Sequence, residues 1–109
     1  MKISKVNREQ NQEVMNQTLF QHIDQNTVVK MGFVQILPGE RVPKEGLSMH
    51  DEDEYSFILQ GSITTQSGDS PIMKVEHGTA TFIPAKEKHW AINEGEEVCE
   101  IVYVLVEHK

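Results

Sequence analysis

A single cysteine, Cys99, stands in this chain of 109 residues. No intrachain disulfide can form, so a reducing compartment is expected. Cationic residues are also scarce, with ten Lys and Arg against seventeen Asp and Glu and a net charge of −7. No dense Lys/Arg face appears, which argues against nucleic acid and anionic membrane surfaces as partners. No apolar run approaches the roughly 18 residues of a membrane span, and no basic-then-apolar leader opens the chain. A cytoplasmic location is therefore expected. Long amphipathic helical patterns are missing as well, which excludes a parallel α/β sheet. There is no internal repeat and no low-complexity segment. Apolar residues make up 38%, enough for one compact core in one domain.

What is present reads as β-structure. Residues 1–17 are polar and rich in Gln and Asn. Met1–Val6 reads as a short edge strand and Arg8–Gln17 as a weak helix, or the whole segment as an arm ordered against a second subunit. The β-domain proper is expected over 18–109. Strands are predicted at Thr18–Ile23, Thr27–Leu37, Tyr55–Gln60, Ile63–Gln66, Ile72–Glu76, Thr79–Ile83, His89–Asn93 and Val98–Glu107. Gly- and Pro-bearing turns separate most of them, and Glu40–Leu47 reads as a loop. Short strands at such close spacing predict an all-β sandwich or barrel.

Two stretches carry the chemistry. The first, Ser48 to Gly61, opens acidic and closes in a strand that stops at a glycine. On an extended chain residues of one parity share a face, so Ser48, His50 and Glu54 are expected to point the same way. The second, Gly78 to Asn93, reads as strand, proline turn and strand, and returns His89 beside that face. Two imidazoles and one carboxylate form a three-ligand set that leaves coordination positions open, as catalytic metal sites do. Asp51 and Asp53 have the other parity and read as solvent charge; Glu52, with the parity of Glu54, is an outside candidate for the site.

Together the two stretches resemble the paired motifs of the cupin superfamily, small β-barrels of the jelly-roll kind. His50, Glu54 and Gly61 fall in register with the second His, the Glu and the closing Gly of the first motif. Gly78, Pro84, His89 and Asn93 match the second. The resemblance spans roughly residues 39–106. Three positions depart from it: Ser48 stands where the first His belongs, Lys86 replaces the Gly of the proline turn, and Val42 occupies the opening Gly. What remains of the family's four usual ligands is His50, Glu54 and His89, with Ser48 and Asn93 as accessory candidates.

The resemblance implies a cupin-type jelly roll that binds a divalent transition metal (Fe, Mn, Ni, Co or Zn). It also implies a small-molecule ligand or substrate and a homodimer. The polar N-terminal arm and the long apolar last strand fit a sheet extended across a two-fold axis. Metal-centred enzymes of the dioxygenase, decarboxylase, isomerase or lyase type are one expectation. A non-catalytic binding or sensing cupin is the alternative, and a structural dimer without an occupied site is a third. Elsewhere, Trp90 has the opposite parity to His89 and reads as core packing. Asn93 reads as the brace of a turn or of a ligand side chain, and Cys99 as an inert core thiol. His22, His77 and His108 read as ordinary residues, with His22 kept only as a remote extra ligand. Ile101 and Tyr103 share one face of the last strand, Val102 and Val104 the other.

Overall fold

The computed structural model describes residues 1–9 and 14–109 and contains no helix among them. Nine strands follow in order: β1 (Val14–Ile23), β2 (Thr27–Ile36), β3 (Arg41–Val42), β4 (Asp53–Gln60), β5 (Ser62–Ser67), β6 (Met73–Glu76), β7 (Ala80–Ile83), β8 (His89–Ile92) and β9 (Cys99–His108). They form two antiparallel sheets, β1-β2-β9-β4-β7 and β3-β8-β5-β6. Their inner faces meet in the jelly-roll arrangement expected from the sequence.

The β1–β2 hairpin closes on Asp24, whose Oδ1 accepts from the backbone N–H groups of Asn26 and Thr27, both at 2.8 Å. Those two donors hold the Asp24 carboxyl below its ordinary range. β1 begins at Val14, earlier than the predicted Thr18, so the helix expected over Arg8–Gln17 is a strand from Val14 onward. Residues 10–13 of that helix lie outside the described residues. Met1–Val6 is not a strand. Arg8 instead reaches the outer face of the large sheet. Its Nε donates to Glu100 Oε2 at 2.9 Å, and its guanidinium lies 5.9 Å from the Phe33 ring centre. Gln35 donates to the same Glu100 oxygen at 3.0 Å. Phe33, Gln35 and Glu100 are all buried on this face.

One expectation about assembly is corrected by the topology. β9 is hydrogen-bonded to β2 on one side and β4 on the other along its length. It has no free edge and cannot extend a sheet across a two-fold axis. The edges of the large sheet are β1 and β7.

Register explains where the core ends and the site begins. The inward residues of β2, β9 and β4 form cross-strand rows: Ile36 beside Cys99, then Val34–Ile101–Ile58, then Gly32–Tyr103–Ser56, then Lys30–Leu105–Glu54. The first two rows are apolar, the last two increasingly polar. Ile36, Ile58, Ile63, Val75 and Cys99 pack into one buried cluster that closes one end of the sandwich. Fully burying each large aliphatic chain stabilises by about 1.5–3 kcal/mol, so the closed end carries most of the apolar stabilisation. Burial, aided by the neighbouring charge of Glu100, pushes the Cys99 thiol up to about 12. No thiolate forms there near neutrality, in keeping with an inert core thiol. The polar rows lie at the other end, where the inner faces separate around a cavity of about 250 Å³.

Candidate metal centre

His50 is placed by backbone pairing. Ser48 and His89 exchange both hydrogen bonds, Ser48 N to His89 O at 2.8 Å and His89 N to Ser48 O at 2.9 Å. The Lys86 N–H donates to His50 O at 2.7 Å. The segment before β4 therefore runs antiparallel to the start of β8, and the two imidazoles meet with ring centres 5.0 Å apart and planes at 72°. A bend at Asp51–Glu52 interrupts the extended chain between His50 and β4. The three side chains thus converge through a bend and a bridge, and not through the continuous extended strand on which the parity of Ser48, His50 and Glu54 was read.

Lys86 occupies this turn at φ 68°. The left-handed region costs an L side chain about 1–2 kcal/mol, which explains a motif that specifies glycine there. The same residue supplies the N–H that holds the His50 carbonyl, so the strained turn positions the site.

Each imidazole is oriented by a carbonyl. His50 Nδ1 lies 2.9 Å from Glu52 O, and His89 Nδ1 lies 2.9 Å from Glu87 O. A carbonyl only accepts, so Nδ1 carries a proton in both rings, and in the neutral imidazole it is Nε2 that presents the lone pair. Ser67 Oγ donates to Glu87 Oε2 and holds the Glu87 loop against β5. Ser56 Oγ donates to Glu54 Oε2 at 3.3 Å, which leaves Oε1 to face His50 Nε2 at 3.4 Å.

That last pair is a test of fit for a cation. His50 Nε2 is buried and has no hydrogen-bond partner. Beside it Glu54 Oε1 lies within ion-pair distance but out of hydrogen-bond alignment. Two lone-pair atoms face each other, a costly arrangement unless a positive charge lies between them. Ligand atoms of His50, Glu54 and His89 all lie within 4.8 Å of one another. Two atoms bound to one ion at about 2.1 Å stand about 3.0–3.5 Å apart at ordinary coordination angles, so the His50–Glu54 distance already matches. The donor set suits a divalent transition metal.

Glu54, His89 and Ser48 line the cavity, whereas His50 stands behind them and does not. Asn93 is not among the lining residues; it is fully buried in the turn that follows β8. Glu52 contributes its carbonyl, and its carboxylate lies 3.8 Å from His50 Nδ1. Asp53 is more than solvent charge: its Oδ1 accepts from Ala85 N at 2.9 Å and ties the turn before β8 to β4. Trp90 is not core. It faces outward on the small sheet, donates to Gln66 Oε1 at 3.2 Å, and lies under the Arg41 guanidinium at 5.4 Å. His22 is exposed beside Asp24 and belongs to no metal-ligating group among the described residues.

Ile101 and Tyr103 prove to be the cavity face of β9, joined by Leu105. Burial pushes the Tyr103 hydroxyl above its ordinary value; its hydrogen bond to Asn16 works against this, and the Glu54 charge adds to it. Tyr103 is thus a neutral donor near pH 7. Sequence reasoning passed over Lys30, which lines the cavity. The available signal was its parity with Val34 and Ile36, which puts a charge on the inward face of an otherwise apolar strand.

Comparison with known proteins agrees with this architecture. The family profile described as "Cupin domain" matches residues 32–105. Among solved structures, TT1209 from Thermus thermophilus is 19% identical, with 96% of each chain covered and a TM-score of 0.76. An RmlC-like cupin family protein with a double-stranded β-helix fold, from Methanocaldococcus jannaschii, is 16% identical, with 99% of this chain and 92% of that chain covered and a TM-score of 0.77. A predicted oxalate decarboxylase from Thermotoga maritima is 22% identical, with 73% and 81% covered and a TM-score of 0.61. No curated protein matches the chain.

Proposed function

The chain belongs to the cupin domain family, and from that premise we propose that His50, Glu54 and His89 hold one divalent transition metal that receives a small organic molecule in the cavity. The observation that carries this reading is the pair of Nδ1–H bonds to the carbonyls of Glu52 and Glu87. They fix both rings with Nε2 free, the outer-shell arrangement that orients metal-ligating histidines. Two imidazoles and one carboxylate are the donors of non-haem Fe(II) sites, and Mn, Ni, Co and Zn accept them too. When bound, such a metal supplies Lewis acidity and open positions for an oxygen-bearing molecule. The chain's own residues have supporting tasks. Ser56 turns Glu54 toward His50, Ser67 anchors the Glu87 loop, and the isoleucine floor excludes water from the closed end.

Glu54 is the one carboxylate and His89 the one histidine on the cavity wall among the described residues. Since both belong to the ligand set, no further side chain of these types is left for proton transfer. That favours, as a second reading, a binding or sensing cupin without turnover. Oxygen uptake or product formation with candidate substrates separates the two.

The metal reading predicts that Co(II) or Zn(II) binds at one equivalent in a calorimetric titration, and that His50→Ala weakens binding at least a hundredfold while the β-sheet circular dichroism is kept. Unchanged affinity in His50→Ala would falsify the assignment. Loss of an outer-shell partner alone typically costs 10–100-fold, so removal of a ligand should exceed that.

We also infer a homodimer. Tyr55 and Phe82, with ring centres 4.9 Å apart, form an exposed aromatic patch with Phe57 on the outer face of the large sheet. Contiguous exposed apolar surface of this kind marks contact sites. Light scattering coupled to sizing chromatography at micromolar concentration should give twice the chain mass, and Phe82→Lys should give the chain mass. A wild-type monomer counts against the inference.

A further inference from the structure

Lys30 enters the cavity wall from β2. In the cross-strand register it stands opposite Leu105, which stands opposite Glu54. Adjacent strands lie about 4.8 Å apart, so Lys30 and Glu54 sit in one row about 10 Å apart at the backbone. The arms of Lys and Glu can both bend into the space over Leu105. Among the described residues Lys30 is the one Lys or Arg on the wall and Glu54 the one Asp or Glu. No side-chain hydrogen bond or ion pair joins Lys30 to another described residue.

The charges then decide the ligand. With Glu54 engaged by a divalent ion, one negative group faces three positive charges in a half-closed space. Partly desolvated positive charge of that kind needs a partner anion. The remaining wall is mainly aliphatic, from Val34, Ile58, Ile83, Ile101 and Leu105.

We propose that Lys30 is a specificity residue that receives the carboxylate of a small organic acid, whose hydrocarbon body lies on the aliphatic wall and whose approach is toward the His50–Glu54–His89 centre. The inference rests on the metal reading for its charge balance, but Lys30 can be tested separately from the metal.

The probes are isovalerate and its neutral isostere isovaleramide, titrated calorimetrically into Co(II)-treated protein, with the cobalt visible spectrum recorded in parallel. Wild type should bind isovalerate saturably and at least tenfold more tightly than the amide, since a charge-assisted hydrogen bond is roughly twice as strong as a neutral one. Lys30→Met, which keeps an unbranched apolar stem, should retain the cobalt spectrum and cobalt affinity and lose at least tenfold in isovalerate binding. Lys30→Arg should restore most of it.

Equal binding of isovalerate by Lys30→Met and wild type, or equal binding of acid and amide by wild type, overturns the proposal, as does the absence of saturable isovalerate binding to wild type. Should cobalt fail to bind while isovalerate binding still depends on Lys30, the metal reading falls and the assignment of Lys30 stands.

Discussion

Replacing Asn93 by alanine should lower the stability of the fold by about 3 kcal/mol, the combined effect of three hydrogen bonds lost in a buried corner. Asn93 is fully buried. Its Nδ2 donates to Ile36 O at 2.8 Å and to Glu97 O at 2.9 Å, and its Oδ1 accepts from Gly95 N at 2.9 Å. Its own backbone bonds to Glu40 and Gly39. The side chain thus joins the end of β2 to the turn from β8 into β9, and the backbone of the same residue holds the approach to β3. Water can reach Glu97 in the variant, so that loss is small. The Ile36 carbonyl lies in the core and stays unpaired, at about 1–3 kcal/mol. For a chain of this size the thermal midpoint should fall by about 12–24 °C. Urea unfolding followed through the single Trp90 measures the difference. Asn93→Asp should fare worse than alanine, because it turns a lone pair toward the Ile36 and Glu97 carbonyls. Cobalt affinity of the folded fraction should not change in Asn93→Ala. A loss under 1 kcal/mol, or a tenfold loss of metal with stability intact, would show that Asn93 is a site residue and not a brace.

Much of this architecture is visible in residue order because the strands are short and punctuated. Gly61, Ser67–Ser70 and Glu94–Glu97 end or begin strands where turn chemistry says they should, and parity alone puts Glu54, Ser56 and Ile58 on one face. Elements defined by their partners were not legible. β3 is two residues long and exists because Arg41 and Val42 pair with Ile92 and Ala91; nothing local distinguishes them from the loop around them. Val14–Gln17 is strand because it pairs with Phe33–Ile36, although its polar composition gives no β signal. The apolar run of β9 suited an edge in a dimer as well as the middle of a sheet, and only its two neighbours decide.

At the candidate site, the side-chain types that converge and their order along the chain were readable from the two motifs. The bend at Asp51–Glu52 was not, and neither were the two carbonyls that set the imidazole tautomers, since a backbone acceptor carries no residue identity. Lys30 shows the limit of alternation: β2 buries Phe33 and Gln35 on its outer face as well as Ile36 on its inner one, so both parities look like core.

Gly32→Ala should destabilise the chain by about 2–4 kcal/mol and reshape the cavity, although the substitution adds one carbon to a strand with ordinary backbone angles. Gly32 pairs with Tyr103, and the tyrosine ring lies across the bare glycine toward β1, where its hydroxyl donates to Asn16 Oδ1. A Cβ at position 32 would stand 2.7 Å from Tyr103 Cε1 and nearer still to Cζ and Oη. A rigid, buried ring cannot yield by a side-chain twist of a few degrees; it must leave its rotamer. Overpacking of this kind costs about 1–3 kcal/mol, and the hydrogen bond to Asn16 adds about 1 kcal/mol. Tyr103→Phe alone isolates the second contribution. In the Tyr103→Val background the ring is gone, so Gly32→Ala should become nearly neutral. The cycle should then show a coupling of more than 1 kcal/mol, well beyond the scatter of independent sites. Since Lys30 and Leu105 occupy the row beyond Gly32 and Tyr103, a displaced ring must move along the cavity wall. Isovalerate affinity should therefore fall in Gly32→Ala, and cobalt affinity should hold. Additive effects in the cycle would show that the glycine is not there for the ring.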